Sequence, residues 1–314
     1  MKLLLAAVTL AAAAPPDRDL LALRDLDQRV ADAGYRLARA ATPFCAEQVP
    51  LPGFVLHGME LYGAESREAV RRTFGLGDGL AVLVVAQGSA AEAAGLRAGD
   101  TVVAVDGQTV PPARPGQGVT VRIENVTNAI ERASAPELRI DIERDGVRRT
   151  IAFRADRGCA SRFWVDPSPR LDAASDGHEV EITAGYVLRA PGDVALAIVL
   201  AHELAHNILH HRARLDREGA QHGLGRYFGR SASLNRAAEL EADRLSVTIV
   251  GCAGYDLDAA LAFRENLWRD SLADALLRAP DHPGARQRLA TVRAAITTFR
   301  ADPAPCAGDR AAGR

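Results

Sequence analysis

Apolar residues recur every three to four positions in some stretches of the chain. In others they run in short blocks or alternate with polar residues. Leu20, Leu23, Leu26, Val30 and Leu37, with Arg and Asp between them, predict an amphipathic helix over Asp19–Ala41. Pro43 and the run Pro50-Leu51-Pro52-Gly53 end it, and a second short helix is expected over Ser66–Phe74, stopped by Gly75. Residues 76–155 change texture. Leu80–Val85, Thr101–Val105, Leu138–Ile142 and Thr150–Phe153 read as strands, with turns at Asp106-Gly107 and Asp145-Gly146 and a helix near Val126–Arg132. Past Cys159 the pattern turns helical again. Glu179–Val187 alternates like an edge strand. Asp193–His211 reads as a strong helix with Asp193 as its N-cap, and further helices follow at Arg236–Val250, Ala259–Arg278 and Gly284–Phe299. Arg212–Ser233 reads as a polar, mobile loop. The expected fold class is α+β: a mainly helical part with a small edge-strand sheet, and a β-rich part over 76–155. The expected segments are 1–14, 15–75, 76–155, 156–300 and a tail 301–314.

Composition narrows the function. Hydrophobic residues make up 48% of the 314, enough for real cores, and the net charge is −2. No basic stretch stands out, so a nucleic-acid partner is not expected. Lys2 is the only lysine, so a chain without its leader has no amine for a Schiff base or a Ser–Lys dyad. Residues 1–14 place one Lys before an apolar run ending in Ala12-Ala13-Ala14, the pattern of a secretory signal, and predict a periplasmic protein. No later apolar run is long enough to span a bilayer; Val194–Ala201 is too short. Four cysteines, Cys45, Cys159, Cys252 and Cys306, suit two disulfides in an exported chain, with three pairings open.

The chemistry centres on His202-Glu203-Leu204-Ala205-His206. The i, i+4 spacing puts both imidazoles on one helix face, where they can share one Zn²⁺, and Glu203 stands beside them as a base for the water that zinc acidifies. A zinc hydrolase needs a third protein ligand, and Glu239 on a later helix is the candidate. Asp243, one turn on, shares its face and can orient a ligand histidine. No G-x-S-x-G motif supports serine chemistry.

Two resemblances follow. The run GSAAEAAGLRAGDTVVAVDGQ, within residues 76–155, resembles PDZ domains attached to bacterial envelope proteases. That likeness places a peptide groove between Leu80–Val84 and the helix near Val126–Ile130, with a carboxylate loop near Leu76–Gly79. Residues 160–300 resemble the gluzincin metallopeptidases that include HtpX and the CAAX prenyl endopeptidases. The likeness rests on His202–His206, Glu239–Asp243, His282-Pro283 with Arg288, and the segment LDAASDGHEVEITAGYVLRAPGDVALAIVLAHELAHNILHH with Gly185 and His211.

This second resemblance implies a zincin domain holding one zinc per chain through His202, His206 and Glu239. Glu203 is then the base, Asp243 and Arg288 support the ligands, and His282 is a gate or an oxyanion donor. An extended polypeptide substrate would pair with the edge strand at Val180, Ile182 and Ala184. The family's first helix precedes this segment, so the PDZ-like part reads as an insert. Its flanks suggest a Cys45–Cys159 bridge, leaving Cys252 for Cys306. The expected activity is cleavage of unfolded or misassembled envelope proteins. The competing reading is a zinc-containing, chaperone-like binder, which would have no need of Glu203.

Overall fold

A computed structural model describes residues 16–114, 116–135, 137–220, 228–270, 283–303 and Cys306. Its elements, in chain order, begin with α1 (Pro16–Ala40), β1 (Gln48–Pro50), β2 (Phe54–His57), α2 (Arg67–Phe74), β3 (Leu80–Val85), α3 (Ala90–Ala93), β4 (Thr101–Val105), β5 (Gln108–Thr109), α4 (Val121–Glu131), β6 (Leu138–Arg144) and β7 (Val147–Phe153). There follow β8 (Arg157–Cys159), β9 (Arg162–Asp166), β10 (Ala173–Ser175), β11 (Glu179–Thr183), α5 (Ala184–Arg189), α6 (Asp193–Ile208), α7 (His211–Arg217), α8 (Gly229–Cys252), α9 (Leu257–Asp270) and α10 (Ala285–Ala301). The fold is mixed α and β.

Helix α1 has two working faces. Leu26, Val30, Ala33 and Leu37 join the main core with α6, α8 and α10, whereas Ala31, Tyr35 and Ala38 pack with Val49, Leu51, Val84 and Ala86. Both sets keep the three-to-four spacing of a helix stripe, so one helix serves two cores.

Between α1 and β9 the chain leaves and returns. β1 pairs antiparallel with β8, Gln48 opposite Cys159, and a Cys45–Cys159 disulfide closes the same neck. The excursion carries a sheet of order β2-β3-β4-β6-β7. It therefore begins at Phe54 rather than at residue 76, because β2 pairs with β3 from Phe54↔Val85 to His57↔Ala81. This also moves the expected groove. Both edges of β3 are paired, with β2 and β4, so it cannot accept a further strand. The edge strands of this path are β2 and β7, and β2 is the one beside β3. A cleft beside β2 is lined by Phe54, Leu56, Ile123 and Thr127 from this sheet and α4, and by Phe163 and Trp164 from β9.

The helical part holds a second, three-stranded sheet of order β10-β11-β9. Here the edge-strand expectation fails. β11 is central, antiparallel to β10 and parallel to β9. Val180 and Ile182 are fully buried in the core, and Ala184 begins α5, so none of the three can pair with a substrate. Alternation over 179–183 reported a strand with one face on α6; it could not report that both edges were taken. At α6 the N-cap is Gly192 at φ 94°, and Asp193 lies inside the first turn, 3.8 Å from Arg29. The loop expected over 212–233 contains most of α7 and the start of α8, with 221–227 outside the described residues. A Cys252–Cys306 disulfide ties the end of α8 to the tail. Among the described residues no helix is long and apolar enough to cross a membrane. The expected leader, residues 1–14, His282, and residues 271–278 of the third helix lie outside the described residues.

Candidate metal centre

The centre forms where α6 meets α8. Leu196, Ile198, Leu200 and Leu204 are fully buried and fix the roll of α6, while Ala242 at 0% exposure lets α8 approach closely. That roll turns His202 and His206 toward Glu239. His202 Nε2 lies 3.2 Å from His206 Nε2 and 3.4 Å from Glu239 Oε2, and His206 Nε2 lies 3.5 Å from Glu239 Oε1. Zinc bonds of about 2.0–2.1 Å in a tetrahedron set neighbouring ligand atoms about 3.3–3.4 Å apart. The two imidazole nitrogens stand close to that spacing from each other and each from one oxygen of Glu239, and the three residues form a cluster of the kind that can hold a metal ion. Two imidazole nitrogens and a carboxylate are also a donor set zinc prefers. The residues fit Zn²⁺.

The groups behind the ligands set their protonation. Asp243, at 0% exposure, accepts two hydrogen bonds from Arg288, Nε to Oδ2 and Nη2 to Oδ1, each 2.7 Å. Its Oδ1 is also 3.1 Å from His202 Nδ1, an approach too angled to count as a full hydrogen bond. A proton on Nδ1 facing this carboxylate leaves Nε2 bare for a metal. On the other ligand, His206 Nδ1 meets His211 Nδ1 at 2.8 Å, and His211 Nε2 meets Glu241 Oε2 at 3.2 Å. Glu241 accepts a further bond from Arg214 at 2.8 Å. If His206 presents Nε2 to the metal, its Nδ1–H must donate to His211, and His211 Nε2–H must donate to Glu241. Each ligand histidine thus ends on an arginine-held carboxylate.

Electrostatics agree. Burial works against charge on Glu239 and Asp243, but His202 and Arg288 outweigh it and hold both well below the usual carboxylate range. Burial opposes charge on His202 too, yet Asp243 and Glu239 draw its pKa upward. Burial, reinforced by His202, pushes His206 down to about 3, so it is neutral and able to bind metal at physiological pH. Glu203 is raised, chiefly by burial, and its Oε2 accepts a hydrogen bond of 3.0 Å from Ser175 on β10.

The cleft over the centre is bordered by Leu171–Ser175 from β10 and the loop before it, by Tyr186, and by Arg264 and Trp268 from α9. Among the described residues β10 pairs with β11 alone, so β10 and not β11 is an edge strand beside the cleft. The fold also explains Gly185. A Cβ there would lie 2.2 Å from the Pro169 carbonyl oxygen, so only glycine lets α5 sit under the loop that leads to β10. Sequence reasoning found His202, Glu203, His206, Glu239, Asp243 and Arg288, and the structure brings these six together. It missed Ser175, Arg264 and Trp268, and it left Glu241 without a role. Only the i, i+30 pairing of Glu241 with His211 across two helices reveals that role.

Comparison with known proteins adds one likeness. A family model described as PDZ domain matches residues 82–119, which run from β3 to the turn before α4. No curated protein matches the chain.

Proposed function

We propose that the protein is a zinc-dependent endopeptidase with a gluzincin-like centre, acting on extended polypeptide segments. The observation that carries this is the convergence of His202, His206 and Glu239 at zinc spacing, with Glu203 beside them. A metal-binding module alone needs the three ligands; it does not need a fourth residue, a half-buried carboxylate bonded to Ser175.

A bound Zn²⁺ would supply a Lewis acid that polarises a carbonyl and lowers the pKa of a coordinated water to about 7. The chain's own residues do the rest. The free edge of β10 aligns an extended peptide across the cleft by main-chain pairing. Glu203 accepts the proton of the attacking water at its carboxylate and passes it to the departing amine. Ser175 fixes which way that carboxylate points. Tyr186 borders the same cleft with its hydroxyl pKa raised by burial, so it is a neutral donor for an oxygen that gains negative charge.

The PDZ-like sheet offers a second place for an extended segment, in the cleft between β2 and α4. Two disulfides support an oxidising compartment, and with the N-terminal pattern they support a periplasmic setting and envelope proteins as clients. The test is zinc analysis and casein cleavage on the parent and on Glu203→Gln. One zinc per chain in both, with cleavage only in the parent, is expected. Equal cleavage by Glu203→Gln would remove its role as base. Zinc without cleavage in the parent would favour the chaperone-like reading.

A further inference from the structure

Two arginines face the Trp268 ring, with guanidinium carbons 4.9 Å and 5.2 Å from its centroid, and their circumstances differ. Arg288 forks onto Asp243 and lies 3.3 Å from Glu239. Arg264 is 5% exposed and makes one hydrogen bond, from Nη2 to the Ile198 carbonyl at 3.2 Å. Its Nε has no partner. No carboxylate among the described residues forms an ion pair with it. Asp243 and Glu203 attract it only at longer range, and a buried guanidinium with no carboxylate in hydrogen-bond contact is costly. Its place is informative, because it lines the same cleft as Glu203, Glu239 and Trp268.

We propose that Arg264 recognises a carboxylate of the bound polypeptide next to the scissile bond, either an Asp or Glu side chain or a free C-terminus. This rests on the peptidase reading above. Three buried observations carry it: an unpartnered Nε, a position on the cleft wall, and a charge balance that favours an anion. Among the described residues, and setting aside the mutually neutral Arg214–Glu241 pair, the half-buried and buried carboxylates around the centre are Glu203, Glu239 and Asp243, against the two guanidiniums. That leaves one negative charge, which a divalent cation turns into one positive charge. The exposed Asp172 at the rim is screened by water. A loaded cleft thus carries a surplus positive charge, and Arg264 is the cation with hydrogen-bonding capacity to spare. A planar guanidinium also holds a carboxylate at a fixed angle, which turns attraction into positional selectivity.

The test uses the full chain bearing Glu203→Gln and loaded with zinc, so that peptides bind without being cut. A short neutral peptide is compared with versions in which one Gln at a time becomes Glu, and with versions ending in a free acid or an amide. One carboxylate should tighten binding by about 10- to 100-fold, the range of a hydrogen bond to a charged group. An internal Glu would identify a side-chain subsite, and the free acid a terminal one. Arg264→Gln in the same background should bring acidic and neutral peptides within about twofold of each other, with zinc content retained. The first arm needs no change at Arg264, so it decides the matter even if that variant fails to fold. Equal binding of acidic and neutral peptides by the zinc-loaded protein overturns this inference and leaves the peptidase reading standing. A preference that survives Arg264→Gln overturns it as well. A chain that holds no zinc and binds no peptide overturns both.

Discussion

Around the β2–β7 sheet, buried ionic groups come in closed pairs. Arg122 forks onto Glu60 with two bonds of 2.8 Å and spends a third donor on the Asp78 carbonyl. Arg144 forks onto Asp100 at 2.5 and 2.6 Å and reaches the Gly95 carbonyl. The core between them is apolar. Around α6 and α8 the Arg288–Asp243 pair closes in that way. Glu239, His202 and His206 turn acceptors toward one point, with only long contacts of 3.3 and 3.4 Å from Arg288, and Arg264 keeps a bare donor. Closed pairs use up their hydrogen-bonding capacity and hold a fold together. Convergent acceptors whose nearby donor, Arg288, is already forked onto Asp243 are best satisfied by a cation. Unsatisfied polarity thus separates the region that scaffolds from the region that holds the candidate metal centre.

The sharpest way to break this comparison is at Glu239. Glu239→Gln should drop zinc content from one per chain to a small fraction and reduce cleavage by at least about 10³-fold, since both metal and geometry go. Metal analysis by mass spectrometry and a peptide assay check it. Full zinc occupancy in the variant would mean that the acceptor cluster is an ordinary polar network.

Charge pairs in the two regions should then part company. Arg144→Ala leaves Asp100 buried at 1% exposure without its partner, and should cost about 3–5 kcal/mol of stability while zinc stays at one per chain. Asp243→Asn should instead weaken zinc binding by about 10- to 100-fold, through lost orientation of His202. Denaturant melts and competition with a chelator measure the two. A zinc defect in Arg144→Ala would show that the regions are coupled.

How far the sequence reveals each region follows from the same contrast. The metal centre was legible because i, i+4 geometry on a single helix fixes His202 against His206 and Glu239 against Asp243 without reference to the rest of the fold. The strands of the sheet were legible too, from apolar runs and Asp-Gly turns. What strands lie beside each other was not. β2 was passed over because Pro50 and Pro52 mask a run of only four residues, and that omission displaced the groove from β2 to β3. Val180 and Ile182 looked like an edge because alternation encodes which face is buried and says nothing of neighbouring strands. Arg264 carried no signal at all. It sits in an ordinary helical pattern, and only the packing of α9 on α6 shows that its charge is unpaired.

The disulfides probe the joint between the regions. Replacing Cys45 and Cys159 with Ala should cost about 2–4 kcal/mol, because a crosslink across 114 residues restricts the unfolded chain strongly. The Cys252–Cys306 bridge closes 54 residues, and by loop-closure entropy its loss should cost about 0.5–1 kcal/mol less. Urea melts of both double variants measure the difference. Zinc affinity should hold in each, since neither bridge touches the centre.

The smallest effect concerns a buried acid that belongs to neither pattern. Asp27 lies on α1 near Tyr62, and burial raises its pKa from 3.8 to about 7. No hydrogen bond or ion pair to it is made among the described residues. Below about pH 4 the carboxyl is neutral in the folded chain and largely so in the unfolded one, and it costs nothing. Between about pH 4 and 7 the folded state holds the proton more tightly than the unfolded state, so stability falls as pH rises through that window. Above it the penalty is constant. The upper bound is roughly 4 kcal/mol for such a shift, and water reaching this half-buried side chain reduces it to about 1–2 kcal/mol. Asp27→Asn removes the charge and keeps the shape. It should raise the melting temperature by about 2–5 °C at pH 8 and leave it nearly unchanged at pH 4. Equal gains at both pH values would assign the effect to packing rather than ionisation, and Asp27 would then be no exception to the closed pairs around it.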